Sequence, residues 1–198
     1  MIHTLIKITK SIITRQTYLY RLFLILILIS HSSAYAWKPE IGEYAEAINK
    51  LEYVDGTSFD LQKLRGKPTV LYFGADWCPH CVTKGRPATE AVAKKYGTLG
   101  LQVIFVSMDD NEKRDKKIEE SKRIGLTILM PKISLCPPFK CPSGLKHIGD
   151  FGQVYTIPSA YLLDADGIVR SKIAGGRDLV RGLENAVISV MKLSNNPN

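Results

Sequence analysis

The sequence has few cysteines and no long apolar run. Its 198 residues include four cysteines, too few for a small protein held together mainly by disulfide bonds. The apolar run LFLILILI, at positions 22–29, has eight residues, whereas a helix that spans a membrane needs ~20. The sequence also contains no internal repeat or low-complexity segment, so a repeat architecture is not indicated.

Acidic residues are missing from the first 36 positions, and this uneven distribution accounts for half of the net charge. The formal net charge is +8, but four of the 27 basic side chains and none of the 19 acidic ones lie in that segment. The rest of the chain therefore has an excess of only four positive charges. Such a mildly basic surface does not indicate binding to nucleic acid.

Residues 1–36 have the pattern of an export signal. A basic stretch that ends at Arg21 precedes the apolar run, and Ala34-Tyr35-Ala36 matches the small-x-small pattern before a signal peptidase site. We expect cleavage between Ala36 and Trp37 and no membrane insertion afterwards. The alternative is an uncleaved membrane anchor, because the basic stretch is longer than usual. The pattern is typical of a bacterial protein delivered to the periplasm, which is an oxidising compartment.

The apolar pattern of residues 37–198 predicts one α/β domain. PTVLYFG at 68–74 and LQVIFVSM at 101–108 are continuously apolar, which is typical of strands buried on both faces. The other predicted elements are a hairpin around Asp55-Gly56, helices at 79–96, 109–123 and 178–193, and a hairpin at 159–176. Alternating strands and helices followed by a hairpin predict a layered α/β sandwich with a mixed sheet.

Two segments of this domain have a composition that indicates no chemistry by itself. The charged segment 109–123 contains six acidic and six basic side chains, so we interpret it as a solvated helix stabilised by side-chain pairs. Residues 126–150 contain four prolines and show no clear period, so we expect a loop-rich insertion there.

The sequence GADWCPHC, residues 74–81, places two cysteines at the start of the first predicted helix. The sulfur of Cys78 should lie among free backbone N–H groups at the positive end of the helix dipole, which stabilises a thiolate. Pro79 suits the first helical turn because it has no amide proton. His80 favours the thiolate further when it is protonated or donates a hydrogen bond. Cys81 is expected to be more shielded and to resolve a mixed disulfide.

Two other interpretations of this cysteine pair stay open. A purely structural disulfide between Cys78 and Cys81 would close a very small ring and would gain little loop entropy. Metal binding by these cysteines and His80 would need further ligands from elsewhere in the chain.

Trp77, the pair Cys78–Cys81, the buried strand before them and the helix after them resemble the thioredoxin superfamily. The segment DGTSFDLQKLRGKPTVLYFGADWCPHC, residues 55–81, is similar to the opening of the exported TlpA/ResA-like thiol-disulfide oxidoreductases. The resemblance implies a thioredoxin-like three-layer α/β/α sandwich, whose central mixed sheet has an N-terminal β-hairpin.

The segment YTIPSAYLLDADGIV, residues 155–169, resembles the later part of the same family, in which a cis-proline precedes a hairpin. The match implies a cis bond between Ile157 and Pro158 that faces the sulfur of the first cysteine. It also implies that these two residues, together with Trp77 and Pro79, form the surface that faces the substrate.

Three features depart from the family's usual pattern. Tyr72 lies six residues before Cys78, where the family often has a buried acid that assists proton transfer to the second cysteine. Pro79-His80 occupies positions where the TlpA/ResA-like reductases can have a glutamate, and the same dipeptide is found in DsbA-type oxidants. Pro87 follows Cys78 by nine residues rather than eight, an extra residue that a bulge at Gly85 could absorb.

The sequence therefore predicts a periplasmic enzyme that exchanges disulfides with cysteines of other proteins through Cys78 and Cys81. The dipeptide between them favours a relatively oxidising potential, because stabilising the reduced form makes a strong oxidant. The alternatives are a TlpA/ResA-like reductant for cytochrome c or metal-centre maturation and a copper- or zinc-handling thiol protein without enzyme activity. No organic cofactor is needed because the dithiol holds the electrons, and a membrane redox partner must recharge it.

The second cysteine pair, Cys136 and Cys141, lies in the proline-rich insertion. We expect a disulfide bond that clamps this loop, since exported loops often need such a link. One alternative is a second redox pair that relays electrons to or from the first. Another is a metal site that adds His147, but its three ligands are weak evidence, and we predict no metal.

Overall fold

The computed structural model describes residues 21, 39–45, 51–109, 111–131, 154 and 156–195. The chain divides into two units, 1–36 and 37–198, and all described residues except Arg21 belong to the second. The predicted export signal and its cleavage site lie outside the described residues. In the part of the chain that the structure describes, no helix is long and apolar enough to cross a membrane.

A mixed sheet of six strands forms the centre of the described domain. The strands are β1 (Leu51–Tyr53), β2 (Thr69–Gly74), β3 (Gln102–Ser107), β4 (Thr127–Pro131), β5 (Ser159–Leu163) and β6 (Val169–Ala174). The helices are α1 (Arg86–Tyr96), α2 (Arg114–Ile124) and α3 (Gly176–Asn195). Shorter elements are 3-10 helices at Leu61–Leu64, Gly97–Leu99 and Asn111–Lys113 and a π-helical turn at Cys81–Gly85. These elements confirm the predicted α/β fold with a mixed sheet.

β2, one of the two central strands of the sheet, leads to the cysteine pair. The strand order is β1-β4-β3-β2-β5-β6, in which β2, β3 and β4 run parallel. β1, β5 and β6 run antiparallel to their neighbours. All six residues of β2 are buried, which explains why its sequence is continuously apolar instead of alternating.

Side chains of β2 point alternately into two apolar clusters, one on each face of the sheet. Val70 and Tyr72 lie in the cluster to which α1 and α3 contribute, and Ile124 of α2 packs against the same cluster. Leu71 and Phe73 lie in the opposite cluster, which also contains both cysteines of the first pair. Tyr72 therefore points toward the helices, on the side of the sheet where α1 begins.

The segment predicted as a loop-rich insertion begins with a strand. β4 pairs with β1 on one side and with β3 on the other. Its residues Ile128, Leu129 and Met130 are all buried. The loop prediction is wrong at 127–131. It followed from the prolines of the whole segment, although three consecutive residues in this part are apolar. The part of the insertion from 132 to 150 lies outside the described residues.

The N-terminal hairpin is shorter than predicted. Its turn lies at Asp55-Gly56 as expected, with the Asp55 side chain accepting a hydrogen bond from the backbone N–H of Thr57 at 2.9 Å. The second strand is reduced to a single bridge between Glu52 and Ser58. β1 instead pairs mainly with β4, because the backbone groups of a strand need more partners than a one-residue bridge provides.

The hairpin of β5 and β6 has its turn at the predicted place. The Oδ1 atom of Asp164 accepts hydrogen bonds from the backbone N–H groups of Asp166 and Ile168, both at 3.0 Å. Gly167 adopts a φ of +82°, a conformation that favours glycine. This turn sets the direction of β6, and β6 leads to the start of α3 beside the cysteine pair.

Candidate active site

Cys78 and Cys81 form a disulfide bond where β2 leads into the first helix. Their Cα atoms are 5.2 Å apart. The backbone N–H of Cys81 donates to Sγ of Cys78, with a nitrogen–sulfur distance of 3.2 Å. N–H groups in a first helical turn have no partner within the helix, so they are free to point at the sulfur. Cys78 is 7% exposed and Cys81 is 1% exposed, which makes Cys78 the more exposed of the two residues.

The loop before β5 lies against Cys78. The peptide bond between Ile157 and Pro158 is cis, and the carbonyl oxygen of Ile157 lies 3.8 Å from Sγ of Cys78. The carbonyl oxygen of Pro158 accepts a hydrogen bond from the backbone N–H of Gly175 at 2.8 Å. The fold thus brings together the cysteine turn, the cis-proline loop and the residue just before α3.

The surface next to Cys78 is partly apolar. Trp77 is 44% exposed, and Val82, whose N–H donates to the carbonyl oxygen of Cys78 at 3.1 Å, is 41% exposed. Pro79 and His80, between the cysteines, are also exposed. Sequence reasoning missed Val82. The available signal was its apolar side chain one helical turn after Cys78.

His80 lies where the start of α3 meets the cysteine turn. A Cβ atom at Gly176 would lie 3.3 Å from the carbonyl oxygen of His80 and 3.2 Å from Cβ of Lys84. Because Gly176 has no Cβ, the first turn of α3 can approach this closely. The predicted site residue His80 therefore lies next to the starts of two helices, and its side chain makes no capping hydrogen bond.

Tyr72 contacts the helical turn that carries Cys81. Its hydroxyl group donates to the carbonyl oxygen of Cys81 across 3.3 Å. The phenol ring also fills the space beside two glycines: a Cβ atom added at Gly74 or Gly85 would lie 2.7 or 2.6 Å from its hydroxyl oxygen. Burial raises the pKa of Tyr72 above its usual value, so the hydroxyl group stays protonated and acts as a donor.

The π-helical turn accounts for the extra residue before Pro87. The backbone N–H of Arg86 donates to the carbonyl oxygen of Cys81, five residues earlier instead of the four of an α-helix. A π-helical turn takes up one additional residue within a helix. The expected bulge at Gly85 is confirmed, and Pro87 continues the helix as one of its first residues.

Asp76, in the loop just before the first cysteine, belongs to a cluster of buried and partly buried charges. Its carboxylate accepts hydrogen bonds from Arg86 at 2.9 Å, Lys116 at 2.9 Å and Lys117 at 2.7 Å. Its backbone N–H donates to both carboxylate oxygens of Asp109, each at 3.1 Å. Burial opposes the ionisation of Asp76, but the hydrogen bonds from these three cations outweigh it and hold the pKa of its carboxyl group well below the usual range.

The interpretation of segment 109–123 as a solvated helix is wrong for the side that faces this cluster. The side chains of Asp109, Lys117 and Glu120 are 0%, 2% and 8% exposed. Equal numbers of acidic and basic residues gave no information about which of them face the protein interior. Sequence reasoning missed these residues and Asp76, and the only available signal was the position of Asp76 inside GADWCPHC.

No metal site is found in the described part of the chain. Within the described residues, no three His, Cys, Asp or Glu side chains are arranged to hold a metal ion. The second cysteine pair, Cys136 and Cys141, lies outside the described residues, as does His147. The clamp, relay and metal hypotheses for these residues therefore stay predictions.

Known proteins are similar to this chain over most of its length. The model of the AhpC/TSA family matches residues 41–172. "Thiol-disulfide oxidoreductase ResA" of Bacillus cereus is 27% identical over 164 residues, which cover 79% of this chain and 87% of that protein. "Probable nucleoredoxin 3" of Oryza sativa subsp. japonica is 32% identical over 130 residues, which cover 60% of this chain but only 24% of that protein.

Solved structures have the same fold. A thioredoxin-like protein from Porphyromonas gingivalis superposes with a TM-score of 0.57 at 19% identity, covering 77% of this chain and 95% of that one. A thiol:disulfide interchange protein from Chlorobium tepidum TLS gives a TM-score of 0.52 at 22% identity, covering 78% and 97%. These similarities show that the fold is thioredoxin-like. With the cysteine pair bonded at the start of its first helix, the chain belongs to the AhpC/TSA family as a thiol-disulfide oxidoreductase related to ResA.

Proposed function

We propose that this enzyme is exported to the periplasm and oxidises cysteine pairs of other proteins through Cys78 and Cys81. The observation that carries the proposal is the 3.2 Å contact between the N–H of Cys81 and Sγ of Cys78. A helical N–H that points at a sulfur favours negative charge on it. A stable thiolate makes the reduced form favourable, and this is the property of a strong oxidant. The pattern of residues 1–36 supports export.

The oxidation starts from the disulfide. A substrate thiolate attacks Sγ of Cys78, the more exposed of the two residues; a bond between the substrate and Cys78 forms and the bond between Cys78 and Cys81 breaks. Cys81 leaves as a thiolate and takes up a proton. A second substrate thiolate then attacks the substrate sulfur of the mixed disulfide, so that the substrate disulfide forms and Cys78 leaves as a thiolate. The substrate loses two electrons and the cysteine pair gains them.

In the opposite direction Cys78 is the attacking nucleophile and Cys81 is the resolving thiol. His80 tunes the stability of the thiolate from its position beside the start of α3. The carbonyl oxygen of Ile157, 3.8 Å from the sulfur, marks where the backbone of a substrate peptide would lie. We assign the substrate-facing surface to Trp77, Pro79, Ile157 and Pro158, and extend it to the exposed Val82.

The pair must be recharged after each turnover. We assign this step to a membrane redox protein that removes two electrons from the dithiol and restores the disulfide. Because the electrons are held by the two sulfurs, the reaction needs no organic cofactor.

A reductant for cytochrome c or metal-centre maturation is the second candidate. The similarity to ResA along 164 residues favours it. A reductant would run the same exchange in the opposite direction, with the Cys78 thiolate attacking a substrate disulfide.

The equilibrium potential of the pair against glutathione separates the two candidates. The measurement is made on a variant with Cys136 and Cys141 replaced by serine, so that only one pair titrates. We expect a potential clearly above that of thioredoxin, which is about −270 mV. A potential of about −270 mV together with rapid reduction of insulin would support the reductant instead.

Two further measurements address export and the metal-handling alternative. N-terminal sequencing of the protein from the periplasmic fraction should begin at Trp37, and protein found only in the cytoplasm would contradict export. Stoichiometric copper or zinc after anaerobic purification would favour a metal-handling protein, whereas redox turnover that is lost in Cys78→Ser would exclude it.

A further inference from the structure

Lys117 lies at the centre of a cluster of buried and partly buried charges next to the active-site loop. We call this cluster the Asp76 network; it consists of Asp76, Arg86, Asp109, Lys117 and Glu120. The Nζ atom of Lys117 lies 2.7 Å from Asp76, 2.8 Å from Glu120 and 3.2 Å from Asp109. Lys117 thus contacts all three carboxylates of the network. A buried charge is tolerated only when partners of opposite charge surround it, and these contacts meet that condition.

The network holds the loop before Cys78 from two sides. The backbone N–H of Asp76 is bound by Asp109, whose carboxylate also accepts a hydrogen bond from Oγ of Ser107 at 2.9 Å. This contact ties the loop to the end of β3. The side chain of Asp76 is bound by Arg86, at the start of α1, and by Lys117 on α2. Three elements of the fold therefore converge on the residue two positions before the nucleophile.

The negative charge of Asp76 opposes the formation of a thiolate at Cys78. The Cα atoms of residues 76 and 78 are at most ~7 Å apart along the chain, and a negative charge near a thiol disfavours its thiolate. Arg86 and Lys117 contact the Asp76 carboxylate at 2.9 and 2.7 Å, so their positive charges offset the field of this carboxylate at the sulfur. Lys116 adds a third cation at the exposed edge of the carboxylate.

We propose that Lys117, together with Arg86, neutralises Asp76 so that the carboxylate can anchor the active-site loop without opposing the Cys78 thiolate. The step affected is the loss of the proton from Sγ of Cys78 in the reduced enzyme. Lys117 acts as a positioning residue through Asp76. The other titratable groups near this step are Tyr72, which faces the turn of Cys81, and His80 on the helical turn itself. This inference rests on the proposed role of Cys78 as the attacking thiolate.

Two charge-removing variants test the inference, because it requires them to act in opposite directions. Lys117→Met leaves Asp76 under-compensated and should raise the pKa of Cys78; Asp76→Asn removes the carboxylate and should lower it. For a charge ~7 Å from the sulfur, Coulomb's law gives a change of roughly threefold to sevenfold in the dissociation constant, for effective dielectric constants between about 80 and 40. The pKa is measured from the ultraviolet absorbance of the thiolate in the reduced Cys136→Ser/Cys141→Ser protein.

The control variant removes a lysine from the exposed side of the same helix. Lys122, on α2, pairs with Glu119 at 2.9 Å and is 68% exposed, so Lys122→Met should leave the pKa of Cys78 at its wild-type value. The double variant Asp76→Asn/Lys117→Met removes one charge of each sign and should return the pKa close to the wild-type value. Asp76→Asn keeps the inference testable on its own if Lys117→Met does not fold.

Each outcome distinguishes the inference from the proposed function. If Lys117→Met and Asp76→Asn shift the pKa of Cys78 in the same direction, or not at all, the network only holds the loop and the inference is overturned. If the wild-type enzyme has no acidic thiolate at Cys78, and iodoacetamide modifies Cys81 first, the proposed function itself is wrong. Opposite shifts in the pKa of Cys78, together with an unchanged pKa in Lys122→Met, support both the inference and the proposed function.

Discussion

The hydroxyl group of Tyr72 donates a hydrogen bond to the carbonyl oxygen of Cys81 across 3.3 Å. The same carbonyl oxygen accepts the N–H of Arg86 that closes the π-helical turn. The phenol ring fits at this place because Gly74 and Gly85 have no Cβ atoms. A neutral phenol thus occupies the position where the family resemblance implies an acid, and the glycines and the π-helical turn beside it adapt the backbone to its size.

Replacing Tyr72 by phenylalanine should lower the free energy of unfolding by about 1 kcal/mol, the usual net contribution of one hydrogen bond. The loss stays small because the N–H of Arg86 still satisfies the carbonyl oxygen of Cys81. Exchange with a small disulfide should keep its wild-type pH profile, because burial raises the pKa of Tyr72 and the phenol keeps its proton. Stopped-flow kinetics across the range in which Cys81 titrates measures this. A selective loss of the resolving step in Tyr72→Phe would show that the phenol transfers a proton.

Replacing Gly85 by alanine should destabilise the protein by about 1–3 kcal/mol, the usual cost of overpacking a core. The new Cβ atom would lie 2.6 Å from the hydroxyl oxygen of Tyr72 and 2.7 Å from Cβ of Pro158. Gly97→Ala is the matched control, because a Cβ atom there meets nothing within 4 Å and the φ of Gly97 is −58°. Urea unfolding should find Gly97→Ala neutral or slightly stabilising. Similar losses in both variants would mean that the contact with Tyr72 and Pro158 is not the cause.

The stability that Asp76 contributes should depend on pH. The pKa of Asp76 lies below its usual value of 3.8 in the folded protein, so the unfolded chain binds the proton more tightly. The contribution is therefore complete above the unfolded value and is lost as the pH falls through the folded value. We expect Asp76→Asn to be less stable than the wild type by about 2–4 kcal/mol at neutral pH, slightly less than for breaking a fully buried ion pair because solvent screens part of the carboxylate.

The difference between Asp76→Asn and the wild type should then shrink as the pH falls below about 4. Free energies of unfolding from urea titrations at several pH values measure the trend. Glu119→Gln removes an exposed carboxylate from α2 and should cost less than ~1 kcal/mol at every pH. A difference for Asp76→Asn that is constant with pH would show that its ionisation contributes nothing to stability.

Cys81→Ser should accumulate mixed disulfides with periplasmic proteins, and Cys78→Ser should not. Cys78 is 7% exposed and Cys81 is 1% exposed, so the exchange with substrates begins at Cys78. In Cys81→Ser the Cys78 thiolate attacks substrate disulfides, and the resolving thiol that would release it from the mixed disulfide is missing. Non-reducing electrophoresis, repeated after addition of dithiothreitol, detects these species. Accumulation in Cys78→Ser would reverse the assigned roles.

Several features of the fold were predictable because they depend on local sequence. The continuously apolar segments at 68–74 and 101–108 correspond to β2 and β3 within one residue of their observed bounds. Asp55-Gly56 and Asp166-Gly167 mark turns because aspartate and glycine favour the backbone conformations of turns. β4 was not predictable in this way, since its short apolar run is followed by prolines, and its strand character comes from pairing on both sides.

In the candidate site, too, some features were predictable from the sequence and others were not. The cysteine pair at a helix start followed from the sequence alone, and the place of Pro158 followed from the family resemblance. The burial of Lys117 was not predictable, because a lysine on a charged helix is normally solvated. Only the packing of α2 against the active-site loop brings it within 2.7 Å of Asp76.

The sequence by itself determined the strand–cysteine–helix unit, since a buried strand, Pro79 and the spacing of Cys78 and Cys81 are local features. The tertiary structure decided which groups act on that unit: Tyr72 from β2, the carbonyl oxygen of Ile157 from the distant loop and Lys117 from α2. Local sequence patterns fix the backbone conformation because this conformation depends mainly on residues that are neighbours in the chain. The charge and proton affinity around a sulfur depend on groups that are distant in sequence and adjacent only after the chain folds.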